Sequence, residues 1–200
     1  AVKPHYKKLH DAILEIPEVK EAHGHMAERV LLSSAVEAEA MWLPNIKNAE
    51  EVRPYQWAAP QMFTTGGQNR LLLGDEMGLG KSLQALLCVL AGQYQKILIV
   101  CPAVVKVNWA NEVEKWTDLQ STIVYGRKPS WEIDEAHFTI VNYDLLQHRV
   151  DELLDMDFQC IIFDECHNMK SQKAERTKAA KHLAKWPTVQ GIIAMSGTPI

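Results

Sequence analysis

Short apolar runs that alternate with longer amphipathic stretches constrain this chain more than any other feature. The runs Leu71–Leu73, Ile97–Cys101, Thr122–Tyr125, Phe138–Asn142, Cys160–Phe163 and Ile192–Met195 have the length and composition of strands. Between them, Lys81–Ala91, Val105–Trp116, Asp144–Leu154 and Gln172–Lys185 read as helices. Apolar strands alternating with helices predict an α/β fold, with a central, mainly parallel sheet covered on both faces. Such a sheet places its ligand site at the carboxyl ends of its strands.

This pattern begins near residue 52. Residues 1–43 read instead as a helical appendage, punctuated by Pro17 and Gly24, with Val30, Leu31, Leu32, Val36, Ala40 and Met41 near helical spacing. Pro44 ends that pattern, and residues 44–51 read as a polar linker. The expected organisation is therefore 1–43 appendage, 44–51 linker and 52–200 main domain.

The segment LLLGDEMGLGKSLQALL carries the first chemical signal. An apolar strand runs into a glycine-bearing turn, then into Lys81, Ser82 and an amphipathic helix. Gly78 and Gly80 allow backbone angles and close approaches that side chains would block. The turn's N–H groups and the helix N-terminus can then point at phosphate oxygens. Lys81 supplies a charge for the β- and γ-phosphates, and Ser82 a hydroxyl for Mg²⁺. The general phosphate-loop pattern has a glycine five residues before Gly80, where this chain has Asp75.

The second signal is CIIFDECH, an apolar strand that delivers Asp164 and Glu165 to its carboxyl end. In phosphate-loop enzymes a strand-end Asp holds Mg²⁺, and the adjacent Glu is placed to orient and deprotonate the attacking water. His167 can couple this pair to whatever lies across the cleft. A zinc site at Cys166 and His167 lacks a second pair of ligands nearby. The histidines at 5, 10, 23 and 25 have irregular spacing and no accompanying acids or thiols, so they read as surface residues.

At this point the motifs resemble those of Swi/Snf-type ATPases in helicase superfamily two. DEMGLGKS is similar to that family's first motif, which accommodates Asp75. VRPYQ resembles the adenine-side motif, with Gln56 reading the base. ILIVCPAVVKVNWANEVEKW, FTIVNYDLL, DECHNMK and MSGTPI resemble the motifs that follow, in the family's order. Cys166 stands where Ala is commoner. The resemblance covers residues 52–200 and implies a RecA-like lobe that binds ATP and Mg²⁺, coupling hydrolysis to movement along double-stranded DNA.

It implies that Arg53, Gln56, Asp75, Met77, Gly78, Leu79, Gly80, Lys81, Ser82 and Leu83 bind ATP. Ser82 and Asp164 would hold Mg²⁺, while Lys81, Asp164, Glu165 and His167 would be catalytic. Ser196, Gly197 and Thr198 would relay the nucleotide state. Pro102, Ala103, Asn108, Trp109, Asn142, Tyr143 and Lys170 would meet nucleic acid. A second RecA-like lobe, acting in cis and carrying an arginine finger, is also implied, and the motor is expected to work as a monomer. Without that lobe, these 200 residues are expected to bind ATP weakly and hydrolyse it very slowly. An RNA-directed motor and a nucleotide-switched scaffold are the alternatives; intact Lys81, Asp164 and Glu165 argue against the scaffold.

The formal net charge of -4 by itself argues against a nucleic-acid binder, but charge is local. Lys170–Lys185 sets six cations against one acid, Glu175, and Lys178, Lys181 and Lys185 fall near one helical face. That stripe reads either as a phosphate-tracking surface or as a solvated helix face. Arg127 and Lys128 are weaker candidates. The four cysteines are dispersed, which suits buried free thiols in a reducing compartment. With no membrane-length apolar run and no apolar signal core, the expected setting is intracellular, nuclear in a eukaryote or cytoplasmic otherwise.

Overall fold

The computed structural model describes residues 38–67, 69–127 and 136–197. Most of the expected helical appendage, residues 1–37, and the four N-terminal histidines lie outside the described residues, as do Lys128 and Thr198.

The strands are β1 (Arg70–Leu73), β2 (Ile97–Cys101), β3 (Ser121–Ile123), β4 (Phe138–Asn142), β5 (Cys160–Phe163) and β6 (Gly191–Met195). They form one all-parallel sheet in the order β1-β6-β5-β2-β4-β3. Every strand therefore ends on the same edge, and the loops that follow share one surface. Central β2 is buried throughout, with Ile99 opposite Ile140 of β4 and Ile162 of β5. Strands without a polar face require cover on both sides.

The helices supply that cover: α1 (Ala58–Thr64), α2 (Lys81–Ala91), α3 (Lys106–Trp116), α4 (Tyr143–Asp155) and α5 (Glu175–Ala184). One apolar cluster joins α1, α2 and α3 to one face of the sheet, through residues such as Phe63, Leu86, Trp109 and Ile99. The other joins α4 and α5 to the opposite face, through Leu98, Val141, Leu146 and Leu183. Each Leu→Ala truncation in such a core costs about 2–5 kcal/mol. Cys88, Cys101 and Cys160 are buried free thiols and Cys166 is half-buried, as the dispersed spacing suggested.

Four sequence expectations change. Residues 38–43 contain no helix, so Ala40 and Met41 do not continue a helical pattern there. Residues 44–51 are more than a linker. Leu43 is buried, Ile46 pairs with Thr117, and the Lys47 N–H and Asn48 Nδ2 donate to Trp116 O and Lys115 O. The segment thus satisfies carbonyls that the end of α3 would otherwise leave orphaned. Helix α1 was not anticipated. β3 stops at Ile123 rather than Tyr125, because the carbonyls beyond it bond to side chains. Buried Lys106 Nζ donates to Val124 O at 2.9 Å, and buried Arg149 Nη1 donates to Tyr125 O and Gly126 O, each at 3.1 Å.

Candidate functional site

The loop between β1 and α2 turns on two left-handed glycines, Gly78 at φ +87° and Gly80 at φ +74°. Asp75 is not in the left-handed region, so no glycine is needed there. Its carboxylate instead accepts from Gln84 Nε2 at 2.8 Å, tying the loop to α2. The Lys81 ammonium donates to Asp75 O at 2.7 Å and to Glu76 O at 2.9 Å, which curls the loop around the charge.

Gln56 is buried against this loop. Its Oε1 accepts from the Arg53 N–H at 2.9 Å, and its Nε2 donates to Leu79 O at 3.3 Å. A Cβ on Gly80 would lie 2.3 Å from Gln56 Nε2, so the two residues interlock. The structure thus gives Gln56 a part in shaping the loop. Arg53 is exposed beside it, as are Met77 and Leu79 on the loop, while Leu83 packs in the core.

A cleft of about 340 Å³ opens where the strand ends converge. Met77, Gly78, Gly80, Lys81 and Ser82 line it from the loop, Asp164 and Glu165 from the end of β5, and Asn108, Trp109 and Glu112 from α3. Lys81, Ser82 and the acidic pair therefore share one cleft. Desolvation by burial pushes the Asp164 carboxyl above the usual carboxylate range, and neighbouring Glu165 pushes it the same way; a hydrogen bond from Trp109 and the charge of Lys81 act against that. A hydroxyl and carboxylates in one pocket are the hard oxygen donors that Mg²⁺ prefers, so these residues fit the ion.

Glu165 sits in left-handed backbone at φ 48°. Its Oε2 is 3.2 Å from His167 Nδ1 and accepts from Ser196 Oγ at 3.5 Å, while His167 Nδ1 and Ser196 Oγ are 3.3 Å apart. This triangle joins the ends of β5 and β6. Gly197 lies against the loop: a Cβ there would be 2.9 Å from Met77 Cγ. Ser196 and Gly197 are thus placed between the acidic pair and the phosphate-loop side chains.

The nucleic-acid assignments divide. Ala103, Asn108 and Lys170 are exposed and Pro102 is half-buried at the strand-end edge. Val104, at the end of the loop that the resemblance sets against nucleic acid, and Val107, which sequence reasoning passed over, are also exposed there, at 89% and 58%. Trp109, Asn142 and Tyr143 are buried, with Trp109 lining the cleft. Trp109 Nε1 donates to Asp164 Oδ2 at 2.9 Å, and the Tyr143 hydroxyl donates to Asp164 O at 2.7 Å. In the basic stripe, Lys178, Lys181 and Lys185 are exposed. Lys178 pairs with Glu175 and Arg176 with Asp144, so part of that charge is locally answered.

Together, fold and cleft define a RecA-like phosphate-loop domain. Comparison with known proteins makes the class specific. The SNF2-related domain matches residues 37–200. The SWI/SNF-related matrix-associated actin-dependent regulator of chromatin subfamily A-like protein 1 of Xenopus tropicalis is 37% identical over 145 residues, covering 68% of this chain and 14% of that protein. Its Xenopus laevis counterpart is 31% identical over an alignment of 213 residues, covering 97% of this chain and 21% of that protein. Among solved structures, the Sulfolobus solfataricus SWI2/SNF2 ATPase core in complex with dsDNA superposes with a TM-score of 0.67 at 26% identity, covering 81% of this chain and 35% of that one. The chain belongs to the SNF2-related family of helicase superfamily two and forms its N-terminal RecA-like lobe. It spans only a small part of these curated relatives. Among the described residues, no helix is long and apolar enough to cross a membrane.

Proposed function

We propose that this lobe binds ATP with Mg²⁺ and hydrolyses it to drive movement along duplex DNA. The observation that carries the reading is the single cleft lined by Lys81, Ser82, Asp164 and Glu165. On this reading the loop amides and the Lys81 ammonium bind the β- and γ-phosphates, the ammonium exchanging loop carbonyls for phosphate oxygens. Ser82 and Asp164 hold Mg²⁺, which when bound neutralises charge on the phosphates. Glu165 orients water for attack on the γ-phosphorus and takes its proton, while ADP leaves with the bridging oxygen. His167 and Ser196 hold the Glu165 carboxylate and pass its state towards β6.

The likeness to a SWI2/SNF2 core whose structure contains dsDNA supports duplex DNA as the polymer. The loop of half-buried Pro102 and exposed Ala103 and Val104, together with Asn108 and Lys170, supplies its nearest contacts on this reading. Lys178, Lys181 and Lys185 add a sequence-independent attraction to phosphates. A second lobe would close over the nucleotide and contribute the arginine finger, typically worth about 10³–10⁵ in rate.

The test is DNA-stimulated ATPase activity in a protein carrying this lobe together with its second lobe. Glu165→Gln is expected to lower turnover by at least ~10²-fold while sparing nucleotide binding. Undiminished turnover would take the general-base role away from Glu165. Stimulation by duplex RNA but not duplex DNA would change the polymer assignment.

A further inference from the structure

Two aromatic side chains that the motifs placed on the nucleic-acid side converge on Asp164 from separate elements. Trp109, one turn into α3, donates to the carboxylate itself. Tyr143, the first residue of α4, donates to the backbone carbonyl of the same residue. The rings are only 2% and 4% exposed, so neither can swing away without opening the core. The elements that carry them begin at the loop edge. α3 follows the exposed loop after β2, and α4 follows β4 directly.

A strand-end aspartate with rotatable side-chain bonds does not hold one orientation by itself. Here a buried indole N–H fixes one carboxylate oxygen and a buried phenol fixes the peptide behind it. Second-shell partners of this kind set metal affinity, and their removal typically costs about 10–100-fold.

We infer that Trp109 and Tyr143 are positioning residues that hold the Asp164 carboxylate for a Mg²⁺-nucleotide and link it to the loop after β2 and to the junction of β4 with α4. This rests on the ATP reading above. Neither ring touches the polymer; each acts through Asp164. A polymer that displaces the loop after β2 moves the start of α3, and with it the Trp109 N–H. By linkage, any such effect on metal-nucleotide affinity must have an equal reciprocal effect on polymer affinity.

The test titrates a fluorescent ATP analogue into the 200-residue chain at a series of Mg²⁺ concentrations from limiting to excess, and again in EDTA, for the wild type, Trp109→Phe and Tyr143→Phe. Trp109→Phe keeps an aromatic ring and loses the N–H. It is expected to weaken binding about tenfold at limiting Mg²⁺, to recover as Mg²⁺ is raised, and to match the wild type in EDTA. Tyr143→Phe removes only a hydroxyl and should shift binding in the same direction by less; it provides the comparison if Trp109→Phe fails to fold. Equal losses with and without Mg²⁺ would show a packing role and overturn the inference, as would wild-type Mg²⁺ dependence in both variants. A wild-type chain that binds no nucleotide in either condition would sink the ATP reading, and this inference with it. Adding duplex DNA should change the wild-type affinity for Mg²⁺-nucleotide and change that of Trp109→Phe less. No DNA effect in the wild type, or a full effect in the variant, would remove the link to the loop after β2.

Discussion

Two cations at the same edge of the sheet do similar work in opposite surroundings. Lys81 and Arg149 each bond two backbone carbonyls of a loop, Asp75 O and Glu76 O in one case, Tyr125 O and Gly126 O in the other. Arg149 is 1% exposed and also grips the Glu152 carboxylate through both Nε and Nη2, so its charge is answered inside the fold. Lys81 is half-buried, lines an open cleft, and feels the Asp164 charge without forming an ion pair with it. A neutralised buried cation holds its loop permanently. An unneutralised one at a cleft holds its loop only until a better anion arrives.

That contrast can be broken in three places. The largest effect should come from Arg149→Met, which leaves the Glu152 carboxylate and two carbonyls without their donor. Breaking a buried pair costs about 3–5 kcal/mol, which lowers the melting temperature on the order of ten degrees. A thermal melt by circular dichroism reads it, and an unchanged melt would mean that the loop needs no such anchor. Next, Lys81→Ala should leave the melt nearly unchanged but lower turnover of the DNA-stimulated motor by roughly 10²–10³, the usual cost of losing one preorganised donor to transition-state charge. A large fall in stability would erase the distinction between the two cations.

The smallest effect concerns Asp164. Burial raises its folded pKa, so the charged form is disfavoured in the fold and its contribution to stability falls as pH rises through that value. Asp164→Asn removes the charge while keeping an oxygen for the Trp109 N–H. The variant should melt slightly higher than the wild type at neutral pH. The gap should close as pH falls through the raised pKa, because the wild-type carboxyl is then neutral too. A gap that widens on acidification would reverse the sign assigned to burial.

Local signals were legible, and signals across the fold were not. Each expected strand is present, because a sheet covered on both faces writes itself as uninterrupted apolar runs such as Ile97–Cys101 and Cys160–Phe163. Helix α2 begins at Lys81 and ends at Ala91, as its periodicity required. The loop chemistry of Gly78, Gly80 and Lys81 was also readable, since local geometry sets it. Trp109 and Asp164 stand 55 positions apart, and nothing local in either segment announces the bond between them. Buried Arg149 was missed for the same reason: its partners at Tyr125 and Gly126 are brought near by the β3–β4 pairing. Helix α1 escaped because it is seven residues long and contains Pro60, tolerated near a helix start but a poor advertisement for one.

The backbone at Glu165 has a consequence of its own. A residue with a long side chain occupies a conformation (φ 48°, ψ 55°) that favours glycine or asparagine. Glycine at this position would relax the main chain but remove the carboxylate that faces His167 and Ser196. The carboxylate at the mouth of the cleft is therefore held at a backbone cost that a smaller residue would not bear.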